Sequence, residues 1–207
     1  MELYTLPNDP DSLRARLVVY EKEIPCRIIE VDLDSPQKNS DIDLSHFSGV
    51  LTLREKNFGT FVFNDSDLML EYLDERFPCP QLMPNDPLDK ARCRFLLKYF
   101  RNKWFPLYAR LENCEKESKS LFQKEIQLFS QWVTGSNWLF GKELSLADCS
   151  AFPYLIKLRS WNISVTPRTP LDRYINKFLT HATILAHFNH EIELMKNSPI
   201  KSRKSKR

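Results

Sequence analysis

Glycine is scarce, with four residues in 207. Neither G-x-G-x-x-G nor a P-loop pattern occurs, which excludes the Gly-rich loops whose backbone cradles phosphate. No apolar run approaches the roughly 18 residues a membrane-spanning helix needs. The five cysteines (Cys26, Cys79, Cys93, Cys114, Cys149) are odd in number and scattered, and no pair reads C-x-x-C. That pattern argues against a disulfide framework and a zinc knuckle. Most are expected to be reduced, buried, small hydrophobes; the proline-rich setting of Cys79 predicts exposure. The strand-like start ELYTL leaves no room for a signal peptide, so a cytoplasmic location is expected.

The net charge of +3 conceals an asymmetry. Six of the 30 basic residues (Lys196, Lys201, Arg203, Lys204, Lys206, Arg207) lie beyond the final acid, Glu193, leaving 24 basic against 27 acidic residues. The sequence therefore describes a mildly acidic body with a basic tail, residues 196–207, expected to be solvated and disordered. No helix-turn-helix, RNA-recognition or finger motif accompanies the tail. Any contact with nucleic acid is expected to be indirect.

What is present is punctuated by proline. Four prolines fall within Pro78 to Pro87, PCPQLMPNDP. They stop the helix-like run DLMLEYLDERF before them and predict a stiff, extended connector. Ahead of it, Glu2 to Leu6 and Cys26 to Leu33 read as strands flanking a helix, with Asp11 or Ser12 as its cap. After the polar segment Asp34 to Asp43, Val50 to Leu53 and Thr60 to Phe63 read as a strand pair around REKNFG. Asn64, Asp65 and Ser66 offer caps to a helix over Asp67 to Phe77. The order βαβ–(α)–ββα is that of a thioredoxin-like domain. Beyond the connector, helices are expected over Leu88–Tyr108, Glu117–Val133, Leu171–Ala182 and Ile184–Met195. SLADCSAFPYLIKL reads as a buried central helix, capped by Ser145 and Asp148 and kinked at Pro153. The fold class is α/β plus all-α. The expected units are residues 1–78, the connector 79–87, an all-helical unit 88–195 and the tail. A binding cleft is expected at the seam between the two units.

This architecture, with its capped S-x-x-D helix, resembles the glutathione transferase superfamily, a thioredoxin-like domain followed by a helical one. LEYLDERFPCPQLMP (Leu70 to Pro84) is more specific. It resembles the run E-Y-L-D-E-R-F-P-H-P-P-L-M-P of the stringent starvation protein A family, bacterial members of that superfamily that bind RNA polymerase. SLRARLVVYEKEIP, the pair Lys103-Trp104 and LSLADC agree with the same resemblance. Cys79 and Gln81 stand where that family carries histidine and proline, so a histidine-dependent partner contact does not carry over.

The resemblance locates a glutathione site and implies that it is damaged. Activating a thiol needs a donor near the start of the first helix, where the dipole favours thiolate. Asp9 stands where thiol-type relatives carry cysteine, and its negative charge would raise a thiol pKa. Ser12 is the remaining donor, with helix capping as its competing role. Relatives carry V-P-x-L before the third strand; here it reads Val50-Leu51-Thr52-Leu53. A cis bond before a non-proline residue costs about 3–4 kcal/mol, so Leu51 is expected to be trans, with the Val50 backbone aimed away from the tripeptide. Asp65 and Ser66 match the acidic-Ser pair that holds the γ-glutamyl group, and equally suit helix capping.

Other constellations carry less. His181, His187 and His190 cluster late, without a carboxylate or thiolate at matching spacing, so no metal site is expected. Glu71, Asp74 and Glu75 read as a solvated helix face beside Arg76. Trp104, Phe105 and Tyr108 have core spacing.

The resemblance thus implies a non-enzymatic transcription regulator with no cofactor, linked to the starvation and stress response. It would dock on RNA polymerase and its sigma factor through Phe77, Pro78, Cys79 and Pro80. Two other readings stand open: a glutathione-dependent transferase or reductase, and a degenerate paralogue forming half of a heterodimer. Pairing, with itself or a related subunit, is expected around Leu68–Phe77 and Ala91–Tyr99.

Overall fold

A computed structural model describes residues 1–32, 51–55, 61–63, 65–135, 137–189 and 192–193. Val50, the Asp34–Asp43 segment, the turn after Glu55, His190 and the basic tail lie outside the described residues.

Four short strands form one sheet. They are β1 (Glu2–Thr5), β2 (Arg27–Glu30), β3 (Thr52–Glu55) and β4 (Phe61–Phe63), in the order β2-β1-β3-β4. β1 and β2 run parallel with Leu3 opposite Ile28, while β1–β3 and β3–β4 are antiparallel. The parallel pair requires a crossover, supplied by α1 (Pro10–Glu21). Leu3, Tyr4, Thr5, Thr52 and Leu53 are all buried, as expected of central strands covered on both faces. α2 (Ser66–Arg76) follows β4.

The first helix starts earlier than the sequence reading placed it. Its cap is Asp9, whose carboxylate accepts from the Ser12 N–H at 2.8 Å, and Pro10 occupies the first turn. Neither Asp11 nor Ser12 is the cap. The same device opens two further helices, where Asp86-Pro87 and Thr169-Pro170 place a capping oxygen ahead of a proline. Proline loses nothing there, because first-turn N–H groups have no partner within the helix.

The long helix expected over Leu88–Tyr108 is three pieces: α3 (Pro87–Tyr99), a π-helical turn (Phe100–Trp104) and α4 (Phe105–Glu112). Pro106 supplies the reason. It has no N–H for the Asn102 carbonyl, so the regular ladder breaks there; the Phe105 N–H bonds the Phe100 carbonyl five residues back. α5 (Ser118–Ser130), α6 (Leu146–Leu155), α7 (Pro170–Phe178) and α8 (Ala182–His187) complete the helical part. α5, α6 and α7 are shorter than the expected spans, while the expected Ile184–Met195 helix falls partly outside the described residues. Pro153 lies inside α6, which stops two residues beyond it.

α6 is buried throughout, as its unbroken apolar character predicts. Around it, Trp104 packs against Phe100, Phe122, Phe129 and Tyr154 with ring centroids 4.5–5.5 Å apart. α6 also packs on α1, joining the sheet layer to the helical layer through one continuous core.

Candidate functional site

The start of α1 and the start of α2 meet at the seam between the two layers. The Ser12 side chain, 1% exposed, is committed to the fold. Its hydroxyl donates to Asp9 Oδ2 at 2.8 Å and accepts the Leu6 N–H at 2.9 Å. A hydroxyl with donor and acceptor both engaged offers no hydrogen to an incoming thiolate. Asp9 itself is held above the ordinary carboxylate pKa by burial, and further by the neighbouring charge of Asp11. Tyr108 reaches across from α4, its hydroxyl donating to the Asn8 carbonyl at 2.7 Å.

Arg14 is the centre of this region and went unnoticed in the sequence. Its side chain is 3% exposed and pairs with Asp11 at 2.8 Å and Asp67 at 2.7 Å. It also donates to the hydroxyls of Ser66 and of Ser150 on α6. Burial alone would favour losing the proton; the carboxylates of Asp11 and Asp67 outweigh that and hold the guanidinium above its usual value. Arg101 adds a second bond to Asp11 from the helical side. Ser66 is therefore turned inward to an internal cation. Asp65 accepts from the Asp67 and Leu68 N–H groups at 2.9 and 3.0 Å, occupying donors that a bound carboxylate would use. Ser12, Asp65 and Ser66 are each engaged by partners within the protein.

The connector is held differently from the sequence expectation. It is not uniformly extended. The chain bends after Arg76, the Cys79–Pro80 peptide is cis, and Leu82 and Met83 are buried. Asp74 also departs from its reading as part of a solvated face, being 5% exposed. It accepts the Leu82 and Met83 N–H groups at 2.8 and 2.9 Å and the Lys22 ammonium at 2.7 Å. Lys22 also donates to the Pro80 carbonyl, and Leu82 accepts from the Leu146 N–H on α6 at 3.0 Å. Pro78, Cys79, Pro80 and Gln81 remain exposed, with Phe77 half-buried under the Arg76 guanidinium. Cavities of about 170 Å³ flank the segment, one bounded by Pro78, Met83 and Lys90, the other by Gln81, Pro84 and Phe140.

A signal for Asp74 existed in the sequence. The buried positions of α2 are Ser66, Met69, Leu70, Leu73 and Asp74, the i, i+3, i+4, i+7, i+8 stripe of an inward face. Asp74 therefore belonged with the leucines, and its half-buried companion Glu71 with Arg94, which it binds through two nitrogens.

The remaining candidates separate. His187 stacks on Tyr20 at 3.9 Å, while His181 Nε2 lies 3.7 Å from Glu21. No group of three or more metal-ligating side chains assembles among the described residues. Of the cysteines, Cys93 and Cys149 are buried, Cys26 is half-buried, and Cys79 and Cys114 are exposed. Cys114 thus departs from the buried expectation. No helix among the described residues is long and apolar enough to cross a membrane. Cavities of about 380 and 430 Å³ lie beside α7 in the helical part.

No protein-family model matches the chain. A stringent starvation protein A homologue from Coxiella burnetii is 30% identical over 183 residues, covering 86% of each chain. The chain belongs to the stringent starvation protein A family. A second relative of the same name, from Haemophilus influenzae, is 28% identical over 80% of this chain and 78% of its own length. Glutathione S-transferase omega-1 of Sus scrofa is 26% identical over 79% of this chain and 69% of its own. Among solved structures, a glutathione transferase homologue from Sulfitobacter with bound glutathione superposes with a TM-score of 0.77 at 16% identity. That match covers 92% of this chain and 98% of the other. The fold of this stringent starvation protein A family member is accordingly that of a glutathione transferase, a thioredoxin-like sheet domain followed by a helical domain.

Proposed function

We propose that this chain is a non-enzymatic transcription regulator of the starvation and stress response, acting in the cytoplasm. It binds sigma-containing RNA polymerase through a ledge formed by Phe77, Pro78, Cys79 and Pro80. One observation carries the reading: Pro78, Cys79 and Pro80 stand exposed on a segment whose next residues are bonded into the body by Asp74. A surface ordered before it meets its partner loses little conformational entropy on docking. Commitment of Ser12 and Ser66 to internal bonds supports the non-enzymatic half of the reading, with Ser12, Val50, Asp65 and Ser66 as vestiges of a glutathione site. Leu68, Leu88 and Phe95 are exposed on α2 and α3, which supports pairing with a second copy or a related subunit there.

Affinity purification of the tagged, full-length chain from its native bacterium tests the proposal. RNA polymerase subunits with a sigma factor are the expected partners, and the double substitution Pro78→Ala, Pro80→Ala should reduce their recovery. The competing reading, a glutathione-dependent transferase or reductase, draws on the omega relative. Retention on immobilised glutathione, with thiol conjugation abolished by Ser12→Ala, would establish that reading instead.

A further inference from the structure

We infer that Lys22 and Asp74 are positioning residues that fix the docking ledge, an inference that rests on the docking reading above. The ledge has no helix or sheet ladder of its own. Its backbone is held on the far side of Pro80 by a compact set of bonds. Asp74 takes the Leu82 and Met83 N–H groups on its two carboxylate oxygens, Oδ1 at 2.8 Å and Oδ2 at 2.9 Å. Lys22, its side chain wholly buried, bridges Asp74 Oδ1 at 2.7 Å and the Pro80 carbonyl. On the near side the ledge follows the end of α2 at Arg76, two residues beyond Asp74, where the Phe77 N–H bonds the Leu73 carbonyl. Lys22 follows directly on α1, which packs on both α6 and α2, so the anchor is tied to a helix of the core.

The chemistry favours this assignment over general stabilisation. A buried ion pair is a weak source of net stability compared with apolar packing of similar volume. Its directional bonds, however, fix backbone groups that apolar contacts would leave free to shift. Among the described residues, the side-chain bonds of the pair other than the one between its two members go to the connector backbone.

The test uses the full-length chain and two readouts. Amide hydrogen exchange reads the ledge itself. In the wild type the Leu82 and Met83 amides should exchange at least about a hundredfold slower than in the unfolded chain. Asp74→Asn and Lys22→Met should each speed them by about tenfold or more, and should raise the labelling rate of the Cys79 thiol. Recovery of RNA polymerase, measured on the same folded variants, should fall at least about tenfold. Ile126→Ala, a remote core substitution, serves as the control: it lowers stability and should leave both readouts unchanged.

Unprotected Leu82 and Met83 amides in the wild type would overturn the inference. So would variants whose ledge exchange is unchanged, or equal losses of recovery in the control. Ledge exchange that rises without loss of polymerase, while the Pro78/Pro80 double substitution does lose it, would also count against the pair. If neither variant folds, the pair serves overall stability and the inference falls. If the wild type recovers no polymerase at all, the docking reading fails, and the exchange arms still decide whether the pair fixes the ledge.

Discussion

The Tyr174 hydroxyl donates to Asp148 Oδ1 at 2.6 Å, tying α7 to the first turn of α6 in the centre of the helical core. Asp148 is fully buried and also accepts from the Leu139 N–H, the Ser145 N–H and the Ser145 hydroxyl. Burial raises its pKa, and the hydrogen bonds from Ser145 and Tyr174 act against that.

Asp148→Ala removes the acceptor from four donors at once and should destabilise the chain by on the order of 3–5 kcal/mol. Tyr174→Phe removes one bond while keeping the ring, and should cost about 1–2 kcal/mol. Denaturant unfolding of both variants against wild type measures the difference, and a larger loss for Tyr174→Phe would contradict the assignment.

Arg14→Met keeps the length of the side chain and deletes its charge. Asp67 and Asp11 then face each other across a buried gap, with Arg101 left as a cation for Asp11. A loss of about 3 kcal/mol is expected in equilibrium unfolding. Converting Asp67 to Asn in the same chain should recover part of it, because the unpaired charge is removed.

Ser12→Ala should cost about 1–2 kcal/mol, since the Leu6 N–H and the Asp9 carboxylate each lose a partner. Calorimetric titration with glutathione should give no binding heat for either wild type or variant. Measurable binding in the wild type that vanishes in Ser12→Ala would show the hydroxyl to be free for substrate.

Burial pushes the Cys93 thiol up to about 12 from an ordinary value of 9.0. The folded chain therefore keeps this proton while the unfolded chain loses it, so stability falls as pH rises from about 9 towards about 12. The unfolding midpoint should decline through that window, and the decline should be shallower in Cys93→Ala. Near neutral pH, the exposed Cys79 and Cys114 should react with a thiol reagent well before Cys93 or Cys149.

Element order was legible because the strand and helix periods and the proline breaks are local properties. The start of α1 was misplaced because Asp11 and Ser12 are also good caps. Asp9 followed by proline is the better start, since only Pro10 loses nothing by lacking an N–H. The split of the long helix was encoded in Pro106 but hidden, because aromatic spacing continues through the π turn. The glutathione positions Ser12 and Ser66 could be found by family resemblance. Their internal partners, Asp9 with Leu6 and Arg14, could not be ranked against a substrate without the geometry.

By itself, the sequence determined two things: a sheet unit followed by a helical unit, and a proline ledge between them, because turn chemistry and side-chain period act within a few residues. The helical period of α2 already set Asp74 on the inward face; only the tertiary structure decided that Lys22 and Arg14 are buried and what each of the three holds. Lys22 and Asp74 are 52 residues apart in the chain, as are Arg14 and Ser66. Which partner such a charge meets is settled by packing across the chain, which no local pattern records.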